Sequence, residues 1–226
     1  MENNPLTNTN DNEQLIRIKN VNSPDAVIQG MYLEITNIAQ GVNIALLVYV
    51  VTSEAFLSTK SLDLIAKLFL AITSLFICAL FWIRYYLDTK ILDRSFTVSS
   101  VVWFFAYIAF QGISVAFINL PNVWFVSTGI FLFFGSGFYQ LNLREMKRKQ
   151  KANVLSIQSG VLSDYLRWQT QRMKELLFLS IFSILGAIII TIGFLPLLIA
   201  SAIALGVSVW QLVVCRDYRK FINTGI

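Results

Sequence analysis

The chain has 226 residues, of which 56% are hydrophobic and only 14% are charged, whereas soluble domains average about 45–50% apolar and about 25% charged residues. This composition excludes an ordinary soluble fold and predicts an all-α polytopic membrane protein, because a lipid-facing backbone must satisfy its hydrogen bonds internally. The chain has no histidine and only two cysteines. Histidine metal sites, imidazole catalysis and a disulfide framework are therefore excluded, and we expect no enzyme, cofactor or bound metal.

The residues before the first apolar stretch form two segments. Residues 1–22 are expected to be a disordered tail, since Met1 to Gln14 is acidic, rich in asparagine and without an apolar run. Ser23-Pro24-Asp25 predicts the start of a helix, because a capping residue precedes a proline at the first helical position and an acid in the first turn. We expect this helix to continue into a four-helix membrane part over 23–141.

Uncharged stretches indicate where the chain crosses the membrane. They cover 35–53, 68–83, 95–143 and 176–215. The last two are 49 and 40 residues long, and a spanning helix needs roughly 20 residues. Each therefore holds two helices, which separate at Leu120-Pro121-Asn122 and at Gly193-Phe194-Leu195-Pro196. The sequence predicts six spans, over 34–53, 62–84, 97–119, 122–141, 176–193 and 197–215, with the last two forming a hairpin over 176–215.

The distribution of Lys and Arg predicts the orientation of these spans. With six spans both termini lie on one side, and the segments on that side carry 16 of the 18 basic residues. The other side carries only Lys60 and Lys67. Because basic residues concentrate in cytoplasmic loops, both termini, including the tail over 216–226, are expected in the cytoplasm.

Polar side chains make the first span the least apolar of the six. Thr36, Gln40 and Asn43 fall on one helical stripe, and Asn37 lies beside it. Such residues are costly in hydrocarbon unless they face water or other helices. Two interpretations stay open: the stripe lines a pore or aqueous vestibule, or it forms interhelical hydrogen bonds.

A basic segment over 142–175 is the one predicted cytoplasmic element, an amphipathic helical hairpin or bent helix between the fourth and fifth spans. Its candidate binding residues for a ligand or lipid are Arg144, Lys147, Arg148, Lys149 and Lys151. The charges fit a topology signal with anionic lipid binding. They also fit docking of an anionic ligand such as a nucleotide or nucleic acid, or contact with another protein subunit.

Residues 31–118 resemble the endolysosomal-type potassium channel family, whose bacterial relatives are six-helix channels without a filter loop. The family opens its first helix with an Arg, a short spacer and Phe-Ser-Asp. Aligning Leu46-Leu47-Val48 with the Leu-Leu-Val of the family places Ile35-Thr36-Asn37 on Phe-Ser-Asp and Met31 on the Arg. Phe81-Trp82 matches the end of the second helix, with Tyr85-Tyr86 in place of a His pair.

The resemblance implies a tetramer of the bacterial inner membrane with the first helices around a central axis. The pore-lining face would then be Ile38, Val42, Ala45 and Tyr49, with the constriction at Val42 and Ala45. This face is opposite the polar stripe on a helical wheel. Thr36 and Asn37 would then hydrogen-bond to neighbouring helices and hold the pore helix in place.

Three functions are compatible with these patterns. The first is an oligomeric, tetrameric cation channel of the potassium transport type. The second is a membrane effector of a prokaryotic nucleotide-signalling or antiphage defence system, opened by a ligand on the basic segment. The third is a non-conducting scaffold. The spans carry no mid-membrane carboxylate, which argues against an ion-coupled transporter.

Overall fold

The computed structural model describes residues 24–91, 98–151, 159–193 and 196–215. All regular secondary structure in these ranges is helical, as predicted. The helices are α1 (Pro24–Val51), α2 (Glu54–Leu57), α3 (Ser61–Ile91), α4 (Val98–Ala116), α5 (Pro121–Lys151), α6 (Ser159–Thr191) and α7 (Leu197–Cys215). The expected tails over 1–22 and 216–226 lie outside the described residues.

Four of these helices contain segments long and apolar enough to cross a membrane. The segments are Gly30–Val51, Ser61–Tyr85, Ser163–Thr191 and Leu197–Val214. The apolar part of α4 is shorter, over Val101–Ala116. The described part of the chain is thus an all-helical membrane protein with four candidate spanning helices.

The chain reverses where proline and glycine predicted breaks. A short turn ends at Leu120, and α5 begins at Pro121, where a missing backbone N–H costs little. Gly193 follows α6 with φ of 71°, a left-handed conformation that glycine adopts without a Cβ clash. One element was not predicted, the single-turn helix α2 between α1 and α3.

Side-chain contacts give the relative directions of the long helices. Tyr32 meets Phe104, and Gln40 meets Gln111 further along both helices, so α1 runs parallel to α4. The Ser180 hydroxyl of α6 donates to the Gly129 carbonyl of α5, and the Ser136 hydroxyl of α5 donates to the carbonyl of Met173 in α6. The contacts therefore move backward along α6 as they move forward along α5, so these two helices are antiparallel.

The remaining pairs are defined in the same way. Arg84 bonds to Gln211 near the C-terminal ends of α3 and α7. Leu70 and Leu197 belong to the same core cluster, nearer the N-terminal ends of these helices, so α3 and α7 are parallel. The short turn makes α4 and α5 antiparallel. Asn37 accepts a bond from Trp82, and the C-terminal part of α1 and the N-terminal part of α3 meet in the core cluster that contains Leu70, so α1 and α3 are antiparallel.

Consecutive helices α6 and α7 do not pack along each other, although the sequence predicts a hairpin over 176–215. The α6 helix lies against α5, and α7 lies against α3. One reason is that α7 presents small side chains, including Ala200, Ser201 and Ser208, on its buried face. Small residues let two backbones approach closely in a membrane, so α7 makes its close contact with α3.

The segment over 142–175 is not a separate element, because it is made of the end of α5 and the start of α6. Residues 152–158, which join them, lie outside the described part. Leu143 and Met146 of α5 and Tyr165 of α6 are buried. The antiparallel packing of α5 and α6 therefore continues into this segment as a helical hairpin.

Candidate pore helix and its supports

The polar stripe of α1 is turned into the protein. Thr36, Gln40 and Asn43 are 0%, 5% and 4% exposed, because α1 packs mainly against α3 and α4 along this stripe. Leu47 and Val50 continue the same buried face toward α2. Within one protomer this face therefore contacts other helices rather than an aqueous space.

A reciprocal glutamine pair joins α1 to α4. The Gln40 amide nitrogen donates to Gln111 Oε1 at 2.9 Å, and the Gln111 amide nitrogen donates back to Gln40 Oε1 at 3.0 Å. Both side chains are buried. Paired amides satisfy each other in a place where neither could reach bulk water. Gln111 stands out in the sequence as a polar residue within an apolar helix, but its partner could not be deduced.

The two polar residues aligned with the family motif, Thr36 and Asn37, make different hydrogen bonds. Asn37 Oδ1 accepts a hydrogen bond from Trp82 Nε1 at 2.7 Å, which ties α1 to α3 near the protein exterior. The Thr36 hydroxyl instead donates to the carbonyl of Tyr32 in its own helix at 2.8 Å. Of the two, Asn37 makes the interhelical bond.

The opposite face of α1 is uncovered. Ile38, Val42 and Tyr49 are 67%, 60% and 72% exposed, and Ala45 between them is also exposed. A Cβ placed on nearby Gly41 would meet no atom within 4 Å. This face is apolar and continuous for about three helical turns, so it must contact lipid, another subunit or a pore.

An acidic residue lies at the start of this uncovered face. Glu34 is exposed and precedes Ile38 and Ala45 by four and eleven residues, a spacing that places all three on one side of a helix. At the far end of α1, the exposed Glu54 begins α2. Carboxylates thus flank the apolar face at both ends.

The predicted basic residues belong to α5. Arg144, Lys147 and Arg148 are exposed, and their spacing places them on one face of the helix. Lys149 and Lys151 are part of the same helix, and their side chains are not among those described. Arg167 of α6 is also exposed. This surface is accessible to anionic groups.

A buried ionic cluster, which we call the clasp, joins α3, α6 and α7. The Arg84 guanidinium donates to Gln211 Oε1 at 2.6 Å, and the Gln211 amide donates to Glu175 Oε2 at 3.4 Å. Glu175 Oε2 also pairs with Arg172 at 2.5 Å. Sequence reasoning used Arg84 and Glu175 only as boundaries of the uncharged stretches, because nothing in the sequence connects three distant helices.

Within the described residues, no group of three or more His, Cys, Asp or Glu side chains could hold a metal ion. No protein-family model, curated protein or solved structure matches the chain.

Proposed function

We propose that the chain is the subunit of an oligomeric cation channel of the bacterial inner membrane, with α1 lining the pore. The observation that carries this proposal is the uncovered face of α1. The polar stripe of α1 is packed inside the protomer, and the other face of α1 is open along its length. Several copies of this helix can therefore be arranged around a central axis with their open faces toward it. Following the family resemblance, we propose a tetramer.

The directions of the helices support six spans with both termini on the same side of the membrane, and the distribution of Lys and Arg favours the cytoplasm for that side. Six spans would be formed by the six long helices, each crossing once. In that arrangement α1, α4 and α6 point in one direction, and α3, α5 and α7 point in the other. The contacts agree, since α1 is parallel to α4, α3 is parallel to α7, and the other packed pairs are antiparallel. The 19 residues of α4 give about 28 Å, close to the roughly 30 Å hydrocarbon thickness.

The proposed constriction is made by apolar side chains. Val42 and Ala45 project from the uncovered face at its middle, where four copies around an axis would form narrow apolar rings. A narrow apolar constriction can stop ions from passing, because water leaves it and the ions lose their hydration there. Rings of Glu34 at the cytoplasmic mouth and Glu54 at the outer mouth would favour cations, as carboxylate rings do in cation channels.

Replacing Val42 with Asn is expected to increase cation flux several-fold. The Asn side chains of the four subunits would hold water in the constriction, whereas Val side chains would exclude it. The measurement is K⁺ and Na⁺ flux into liposomes, with the oligomeric mass determined in detergent. The matched control is Val209→Asn on the exposed face of α7, which should leave flux unchanged. Equal flux in the wild type and both variants would exclude α1 as the pore helix.

Replacing Glu34 with Gln is expected to lower the permeability ratio of K⁺ to Cl⁻ several-fold, since the change removes one charge per subunit from the proposed mouth. Reversal potentials in a salt gradient measure this ratio. Asp63→Asn is the control, because Asp63 is an exposed acid at the start of α3 and is not part of α1. A ratio that falls equally in both variants would indicate a general surface-charge effect.

A ligand-gated effector is the second candidate, and the exposed basic residues on α5 favour it. Arg144, Lys147 and Arg148 follow the predicted fourth span directly, so an anionic ligand bound there could move the α5–α6 hairpin. The same flux assay separates the candidates. A tetramer that conducts only after an anionic nucleotide is added supports the effector, whereas a monomer without flux supports a scaffold.

A further inference from the structure

A small cavity with a mostly apolar wall and a few polar groups lies between α3, α4 and α5, beside Gln111. Its polar lining consists of Ser74, Gln111, Ser114 and Thr128. All four side chains are buried, and Phe131 closes one side. The space open to the centre of a water molecule is about 10 Å³, close to the roughly 10–15 Å³ that one buried water needs.

Thr128 provides the first reason to place a ligand there. Its hydroxyl is buried and makes no hydrogen bond to any described residue, although the residue is only 4% exposed. The carbonyl of Trp124, one turn earlier, instead accepts a bond from the neighbouring Ser127 hydroxyl at 3.1 Å. A buried hydroxyl without a partner is costly, so an unpaired Thr128 requires a partner inside the cavity.

The other polar groups have capacity left for the same partner. The Ser114 hydroxyl donates to the Phe110 carbonyl at 2.9 Å, and its oxygen can still accept. The Gln111 amide uses one donor and one acceptor on Gln40, and its side chain also hydrogen-bonds the Cys78 thiol, which leaves the second lone pair of Oε1 as an acceptor. The cavity therefore offers both donors and acceptors within a space that excludes anything much larger than water.

We propose that this cavity binds one ordered water molecule, held by Thr128, Ser114 and Gln111. The water connects α5 to the α4 residue that fixes α1. Buried waters with about three hydrogen bonds are structural parts of proteins. The neutral lining and small volume favour water over an ion. The site does not depend on whether the chain conducts ions.

The test is Thr128→Val, which keeps the shape of the side chain and removes the hydroxyl. If a water is bound, the variant deprives it of one partner, and the midpoint of thermal unfolding in detergent should fall by about 2–4 °C. If the cavity is dry, the variant removes an unsatisfied hydroxyl, and the midpoint should rise. The control is Thr73→Val, because the buried Thr73 hydroxyl bonds to its own helix at Phe69 and does not line the cavity.

X-ray radiolytic labelling gives a second readout, because a bound water generates hydroxyl radical beside the side chains it touches. Phe131 should be oxidised more than Phe104, which is equally buried and does not line the cavity. Thr128→Val should reduce this labelling. A raised or unchanged midpoint, with equal labelling of Phe131 and Phe104, overturns the proposal. If the variant fails to fold, the labelling of the wild-type protein decides alone.

Discussion

Replacing Glu175 with Leu is expected to destabilise the protein by about 3–5 kcal/mol, the usual cost of breaking a buried ion pair by removing one member. Arg172 is 5% exposed and Glu175 is 19% exposed in their ion pair. Removing the carboxylate leaves the Arg172 guanidinium inside the helix bundle and also removes the acceptor of Gln211. The measurement is the free energy of unfolding by SDS titration in mixed micelles.

Two further variants determine whether the effect comes from the ion pair. Asp164→Leu removes an exposed acid from the same helix and should change the free energy of unfolding by no more than about 0.5 kcal/mol. The double variant Arg172→Leu with Glu175→Leu should recover part of the loss, since apolar replacements for a whole buried pair are often tolerated. A double variant no more stable than Glu175→Leu alone contradicts the ion-pair explanation.

The clasp has a structural consequence as well as a stability effect. Along most of their length α6 and α7 are packed on different helices. The hydrogen bond that Gln211 donates to Glu175 therefore joins two parts of the bundle. One part is α6 with the α5–α6 hairpin, and the other is α7 with α3. Loss of the clasp should therefore loosen the hairpin from α3 and α7 before the whole protein unfolds.

Replacing Gly129 with Ala is expected to destabilise the protein by about 1–3 kcal/mol, as overpacking of a filled core does. Gly129 lies where α5 packs closely on α6. A Cβ there would lie 2.6 Å from Ile184 Cγ1 and 3.0 Å from the Ser180 carbonyl oxygen. The carbonyl belongs to the backbone, so the helices must separate, and the Ser180 hydroxyl bond to Gly129 would weaken.

Gly206 of α7 is the matched control for this substitution. A Cβ at Gly206 would meet no atom within 4 Å, and alanine is favoured over glycine in a helix by up to about 1 kcal/mol. Gly206→Ala should therefore be neutral or stabilising in the same SDS titration. If both alanine variants gave the same change, close packing of α5 on α6 would not be the cause.

The sequence was sufficient for those features that depend on one helix at a time. Uncharged runs predicted apolar helices, since charges are excluded from hydrocarbon. Proline at 121 and glycine at 193 predicted the turns, since one lacks a backbone donor and the other tolerates a left-handed conformation. The described part of α1 begins at Pro24, and the predicted cap Ser23 lies outside the described residues. The short α2 was missed because a single turn has no periodic pattern.

The pairing of the helices depended on tertiary structure. In a lipid environment one apolar helix face resembles another, so hydropathy does not specify which helix packs on which; small residues and hydrogen bonds do. For this reason the neighbours of α7, the partner of Gln40 and the four residues of the clasp could not be read from the sequence. The sequence by itself determined that α1 has a polar and an apolar face, and only the packing against α3 and α4 decided that the polar face points inward.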